Sequence, residues 1–223
     1  MQRLKAKNTI SAVIFDFDGT LAKLNINFPQ MRTAIINLIE TYHVPLNGLS
    51  DLFVLEMINS GKALISHNCP GEEEKFFQQA NDIITNIEIE AAKKGELIDG
   101  TRNMLIELKK RNIKVGVVTR NCQLAVMLVF PDILKHCNTV ITRELIHNVK
   151  PHPEHLTAVL KLLGVAPEFA SMVGDHPMDI KIGKDVGTLT IGVLSGYSTS
   201  NDLLKAGADF IINKAADIFS LLP

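Results

Sequence analysis

Ser11-Ala12-Val13-Ile14-Phe15-Asp16-Phe17-Asp18-Gly19-Thr20-Leu21 is the stretch on which the fold turns. Its first half is a compact apolar run, rich in branched side chains, that suits a strand buried on both faces of a parallel sheet. Its polar half begins where that strand ends. Ligands of open α/β sheets bind just beyond the carboxyl ends of the strands, so acids at this place call for a functional reading. Asp16 and Asp18 alternate about Phe17, and in extended backbone both would project to one side. Like charges so close need a cation, a shared proton or separate hydrogen bonds. One carboxylate can act as a nucleophile and the other as a general acid and base, with a hard cation between them. Gly19 allows a sharp turn toward a ligand. Taken alone, the same residues also fit an acidic turn at a domain surface.

From Leu21 to Glu96 the pattern is helical, with no convincing strand. Met31, Ala34, Ile35, Leu38, Ile39 and Tyr42 share one helical face. Ser50 is placed to cap a second helix carrying Leu52, Leu55 and Ile58. After Pro70-Gly71, Phe76, Phe77, Ala80, Ile83, Ile84, Ile87 and Ala91 mark a longer third helix. From Leu97 the rhythm changes. A helix over Thr101 to Lys110 leads into the apolar run Ile113 to Val118, and further strands are expected at Thr139–Ile141, Ser171–Val173, Leu189–Val193 and Phe210–Ile212. Helical patterns separate them, as at Glu154 to Leu163. Such alternation predicts an α/β fold with a Rossmann-like parallel sheet and helices on both faces. The helical block follows the first strand as an insert, so residues 1–20 and 97–223 form the core and 21–96 a helical cap.

Three other strand ends carry polar groups. Thr119-Arg120-Asn121 follows Val118 and precedes a helix, where a hydroxyl and N–H groups suit an anionic oxygen, or where Thr119 or Asn121 simply caps the helix. Lys150-Pro151 precedes the helix opened by Pro153-Glu154, and a lysine there can neutralise a phosphate and crowded carboxylates, or stay solvated. Gly174-Asp175-His176-Pro177-Met178-Asp179 follows Val173. Its acids can face one site, with Asp175 as a cation ligand and Asp179 anchoring from behind, or serve as capping acids.

Composition narrows the partners. The chain has 223 residues, 46% of them hydrophobic, which is enough for a core plus an insert. A formal net charge of −1 gives no electrostatic case for nucleic acid or an anionic membrane, and the absence of Trp removes a stacking surface. Cys69, Cys122 and Cys137 show no CxxC pair and read as reduced packing thiols. No segment approaches the roughly 18 apolar residues of a membrane span. The basic Arg3, Lys5 and Lys7 precede an apolar run too short for a signal peptide. A soluble cytoplasmic protein is expected, and the sequence assigns no oligomeric state.

The order of these motifs resembles that of the haloacid dehalogenase-like hydrolase superfamily. The likeness rests on DxDGT at Asp16 to Thr20, the hydrophobic run ending in Thr119, Lys150-Pro151 and GDxxxD at Gly174 to Asp179. The insert after the first motif is similar to the C1-type helical cap of phosphoglycolate phosphatase-like members. The resemblance implies Asp16 as nucleophile and Asp18 as general acid and base. It implies that Thr119, with the Arg120-Asn121 segment, Gly19 and Thr20, binds the phosphoryl group, and that Lys150 steadies it together with Asp16. It further implies magnesium held by Asp16, the main-chain carbonyl of Asp18 and Asp175, supported by Gly174 and Asp179. The expected activity is magnesium-dependent hydrolysis of a small phosphorylated metabolite, phosphoglycolate among the candidates. A phosphosugar mutase and a non-catalytic phosphate-binding module are the alternatives. Ala22-Lys23-Leu24-Asn25 departs from phosphoglycolate-type relatives, which often carry an acid and a Ser there. Arg32, Lys62, His67 and Lys75 of the insert read as solvated surface residues.

Overall fold

The computed structural model describes residues 10–49 and 51–222. The Ser50 cap therefore lies outside the described residues. The elements run β1 (Ala12–Phe15), β2 (Ala22–Lys23), α1 (Phe28–Thr41), α2 (Val54–Asn68), α3 (Glu73–Ala92), β3 (Glu96–Leu97), α4 (Thr101–Lys110), β4 (Lys114–Val118), α5 (Gln123–Val129), α6 (Ile133–His136), β5 (Thr139–Ile141), α7 (Glu154–Leu163), β6 (Ala170–Gly174), α8 (Pro177–Val186), β7 (Leu189–Val193), α9 (Ser200–Lys205) and β8 (Phe210–Ile212).

Six strands form one parallel sheet in the order β5-β4-β1-β6-β7-β8. The chain winds outward from β1 in both directions, so the crevice at the carboxyl end of β1 is the topological switch point. All four residues of β1 are fully buried, as a central strand sandwiched between helices requires. Alternation assigns the faces. Ile14 joins Val159, Leu160, Leu163 and Met172 in the cluster under α7. In β4, a Cβ on Gly116 would lie 2.4 Å from Val159, so this glycine lets α7 come close. Buried Met104, Leu105 and Leu108 of α4 pack toward β4 and the C-terminal 3-10 turn. Each fully buried apolar side chain of this kind contributes about 1.5–3 kcal/mol relative to exposure.

The α/β architecture with an inserted helical cap is the fold read from the sequence. The chain divides into two compact units, Met1–Leu24 with Ala92–Pro223, and Asn25–Ala91. Strand structure within 21–96 was not expected, yet β2 and β3 pair antiparallel through Ala22 with Leu97 and Lys23 with Glu96. A two-residue ribbon has no periodicity to read, and it keeps these residues with the α/β unit. Within the helical unit, α1 buries Met31, Ile35 and Ile39, and α3 buries Phe76, Ala80 and Ile84. The buried stripe of α2 is Met57, Ile58, Gly61 and Ile65, and the expected Leu52 and Leu55 are only half-buried. Leu52 precedes the first residue of α2, and a Cβ on Gly61 would meet Phe76 at 3.1 Å and Ile39 at 3.3 Å, so α2 presents its smallest residue to these two side chains. No helix among the described residues is long and apolar enough to cross a membrane.

Candidate active site

Asp16 leaves β1 with its carboxylate inside the α/β unit, 8% exposed. The Lys150 ammonium donates to Asp16 Oδ1 at 2.5 Å and to Asp179 Oδ1 at 2.6 Å, and Lys150 itself is only 3% exposed. Asp175, at the end of β6, completes a group in which oxygens of Asp16, Asp175 and Asp179 lie within 4.8 Å of one another. Residues 134 and 29 positions from Lys150 thus converge at the switch point. Three buried carboxylates and one ammonium leave an excess of negative charge.

That excess appears in the ionisation of the acids. Burial is the largest influence on Asp16 and pushes its carboxyl up; Lys150 pulls it down, Asp179 and Asp175 push it up again, and the balance lies well above the ordinary value. Burial, followed by the Asp179 charge, raises Asp175 to about 7. Burial lowers Lys150, but Asp16 and Asp179 outweigh it and hold the ammonium charged. Carboxylates in this state are suited to receive a cation, and hard divalent ions prefer such oxygen donors. The cluster is able to coordinate one.

Asp179 is closer to the cluster than a remote support. It sits at the third position of α8, where its Oδ2 accepts the His176 N–H at 3.1 Å while Oδ1 takes Lys150. Both oxygens are thereby engaged by the protein. Gly174 makes this approach feasible, since a Cβ there would lie 2.3 Å from Asp179 Cγ. The Asp18 carboxylate is not among the three clustered acids, although the alternation about Phe17 suggested one shared side. Its Oδ1 accepts the Leu24 N–H at 2.9 Å and its Oδ2 the Tyr197 hydroxyl at 3.3 Å. The chain turns at once after Phe17, whose carbonyl accepts N–H groups of Thr20, Leu21 and Ala22, so the extended geometry does not persist. Gly19 adopts φ +86, and a Cβ on it would collide with the Asp175 carboxylate at 2.4 Å. Thr20 is fully buried with its hydroxyl 3.4 Å from Asp175 Oδ1.

Beyond β4, the buried Thr119 hydroxyl accepts the Asn121 N–H at 3.1 Å, which leaves its own proton to donate. Asn121 Nδ2 is buried and has no hydrogen-bond partner. A buried donor left unpaired costs about 1–3 kcal/mol, which an anionic oxygen would recover. Neither residue caps the helix that follows; Cys122 does, its sulfur accepting the Ala125 N–H. The Arg120 guanidinium donates to the Lys150 carbonyl at 2.5 Å and reaches the Met178 sulfur at 3.4 Å.

Two contributions escaped the sequence reading. His155 is fully buried, with Nδ1 accepting the Lys150 N–H at 3.1 Å and Nε2 against the Ile141 carbonyl at 3.0 Å, which fixes its proton on Nε2. Burial first, and the Lys150 charge second, lower its pKa from 6.5 to about 3. Between those values the unfolded chain binds more protons than the folded one. The stability His155 supplies is therefore present above pH 6.5 and lost as pH falls through the window. In denaturant unfolding, the advantage of wild type over His155→Leu is expected to shrink by about 1 kcal/mol per pH unit between about pH 6 and pH 4. An advantage that stays constant with pH would contradict the neutral-imidazole assignment.

The second is the Ser195-Gly196-Tyr197 loop after β7. Polar residues following an apolar strand were the signal used at four other strand ends, and it was present here too. Cys69, Cys122 and Cys137 remain thiols, and burial raises Cys137 to about 12. In the helical unit, Arg32 donates to the Leu52 carbonyl, Lys62 pairs with Glu74 at 2.7 Å, and Lys75 pairs with Glu72 at 3.0 Å.

A model of haloacid dehalogenase-like hydrolases matches residues 13–193, which span β1 through β7 and every strand end of the cluster. The chain belongs to the haloacid dehalogenase-like hydrolase family. It is an enzyme of that family with a phosphoglycolate phosphatase-like cap. Pyrophosphatase PpaX from Bacillus cereus is 30% identical over 217 residues, with 96% of each chain covered. Phosphoglycolate phosphatase from Nitrosococcus oceani is 27% identical, covering 94% of this chain and 95% of the relative. A hydrolase from Pseudomonas syringae shares the fold with a TM-score of 0.69 at 20% identity, covering 94% and 96% of the two chains.

Proposed function

We propose that this hydrolase-family enzyme is a magnesium-dependent phosphatase that cleaves a small phosphorylated metabolite through an aspartyl phosphate on Asp16. The observation that carries this reading is the Lys150 ammonium held between Asp16 and Asp179 with Asp175 alongside. Asp16, Asp175 and the main-chain carbonyl of Asp18 would hold the magnesium, which supplies positive charge to the phosphoryl oxygens and lets Asp16 stay ionised at neutral pH.

Phosphoryl transfer depends chiefly on positioning and charge neutralisation. An Asp16 carboxylate oxygen attacks phosphorus, a new oxygen–phosphorus bond forms, and the bond to the leaving oxygen breaks. Asp18 gives its proton to that oxygen. Thr119 and the unpaired Asn121 amide donate to the transferring group, with Gly19 and Thr20 shaping the turn beside it. Arg120 acts through Lys150 by holding its carbonyl. Asp18, now a carboxylate, then takes a proton from water, whose oxygen attacks phosphorus and frees Asp16 with release of phosphate. Gly174 and Asp179 keep Lys150 in place.

The names of the two curated relatives point to pyrophosphate and phosphoglycolate, each a phosphoryl group on a small anion. Purified protein should release phosphate from a panel holding both, with hexose phosphates and an aryl phosphate, and chelator should stop it. No release from any member with magnesium present would favour a non-catalytic phosphate-binding module. Interconversion of hexose phosphates without net release would favour a mutase.

A further inference from the structure

Ser195, Gly196 and Tyr197 follow β7 and themselves form or break no bond in the proposed reaction. Their contacts are nevertheless directed. The Ser195 hydroxyl donates to the Gly19 carbonyl at 2.7 Å, and the Tyr197 N–H donates to Asp175 Oδ2 at 2.9 Å. A Cβ on Gly196 would fall 2.0 Å from that same oxygen, so only glycine lets the loop lie against Asp175. The loop is thereby fixed to both the DxDGT turn and the end of β6. Tyr197 is 54% exposed, yet its hydroxyl rests on Asp18 Oδ2 at 3.3 Å. The opposite oxygen of Asp18 is held by the Leu24 N–H at 2.9 Å.

We infer that Tyr197 is a positioning residue for Asp18, setting the rotation of its carboxyl group so that Oδ2 faces the leaving oxygen. Donors on both carboxylate oxygens stop rotation about the Cβ–Cγ bond. The phenol O–H can donate to Oδ2 when Asp18 is a carboxylate and equally to a lone pair of Oδ2 when Asp18 is an acid whose own proton points to the leaving oxygen, so the contact survives both protonation states. The inference rests on the acid–base role proposed for Asp18. Because Tyr197 acts only through that acid, its importance scales with how badly the leaving group needs a proton.

The test is a series of aryl phosphates whose phenols range from dinitrophenol to unsubstituted phenol, assayed with magnesium. The readout is kcat/KM, which reports on the chain of steps through phosphoryl transfer, plotted against phenol acidity. Tyr197→Phe should lose about 10-fold or more on phenyl phosphate and no more than about 3-fold on dinitrophenyl phosphate, giving a steeper line than wild type. Asp18→Asn should steepen it further. An equal loss across the series, or none, with unaltered thermal unfolding would overturn the role of Tyr197. A slope unchanged in Asp18→Asn would instead overturn the acid–base reading, so the two failures are distinguishable.

Discussion

Asp16→Asn is expected to lower turnover by about 10⁴-fold or more on every accepted substrate, as removal of a covalent nucleophile does elsewhere. The amide is nearly isosteric and its oxygen can still accept from Lys150, so the cavity keeps its shape. What disappears is an ionisable oxygen able to form a mixed anhydride with phosphate. Acid-quenched wild type should carry labelled phosphoryl group from substrate, and the variant should carry none. Stability should move the other way. Burial and the charges of Asp179 and Asp175 hold the Asp16 carboxyl pKa well above its usual value. The folded state therefore binds more protons here than the unfolded chain, and ionisation of Asp16 costs stability as pH rises. In chelator at about pH 8, the neutral amide of the variant should leave the unfolding midpoint equal to wild type or above it, the behaviour of a site whose function is built against stability. More than about 1% residual turnover, in Asp16→Asn protein whose substitution has been verified by mass, would sink the nucleophile assignment.

How far this was legible depends on the length scale of each signal. β1, β5, β7 and β8 announce themselves as apolar runs, and α4 and α7 as amphipathic periods, because burial of a whole face leaves a repeating mark. Asp16 and Asp175 were readable because each directly follows one of the neighbouring strands β1 and β6 at the switch point, whereas Lys150, well past the edge strand β5, and Asp179, in the first turn of α8, were singled out by motif order. The direction of the Asp18 side chain was not readable, because it depends on a turn that hydrogen bonds to the Phe17 carbonyl enforce. Nothing in the sequence separates His155 from a surface or an internally satisfied histidine; only the fold reveals that α7 carries it inward to the Ile141 carbonyl. The Tyr197 contact joins residues 179 positions apart through a hydroxyl, and no period encodes such a meeting.

Lys150→Met should separate two duties of one ammonium. The side chain is buried and bonds to Asp16 and Asp179, so methionine keeps much of the packing and removes the charge. Turnover is expected to fall by about 10³-fold, the scale of losing one preorganised electrostatic partner of the transferring group. Folding should suffer as well, by about 3–5 kcal/mol at alkaline pH in chelator, since breaking a buried pair strands the remaining charges. Without the lysine, which lowers both, Asp16 and Asp175 are harder still to ionise, so their folded-state pKa values rise further above the unfolded ones. The destabilisation is then smallest in acid, where the acids are protonated, and grows as pH rises through the region of Asp175, already at about 7. Magnesium should recover part of it by mass action, because the ion binds the folded cluster alone. Adding Asp179→Asn removes one stranded carboxylate, and the double variant should regain stability without regaining turnover, a non-additivity expected of groups in contact. A Lys150→Met protein within tenfold of wild-type activity, or a stability loss independent of pH and magnesium, would show that the ammonium does not hold this cluster's charge in check.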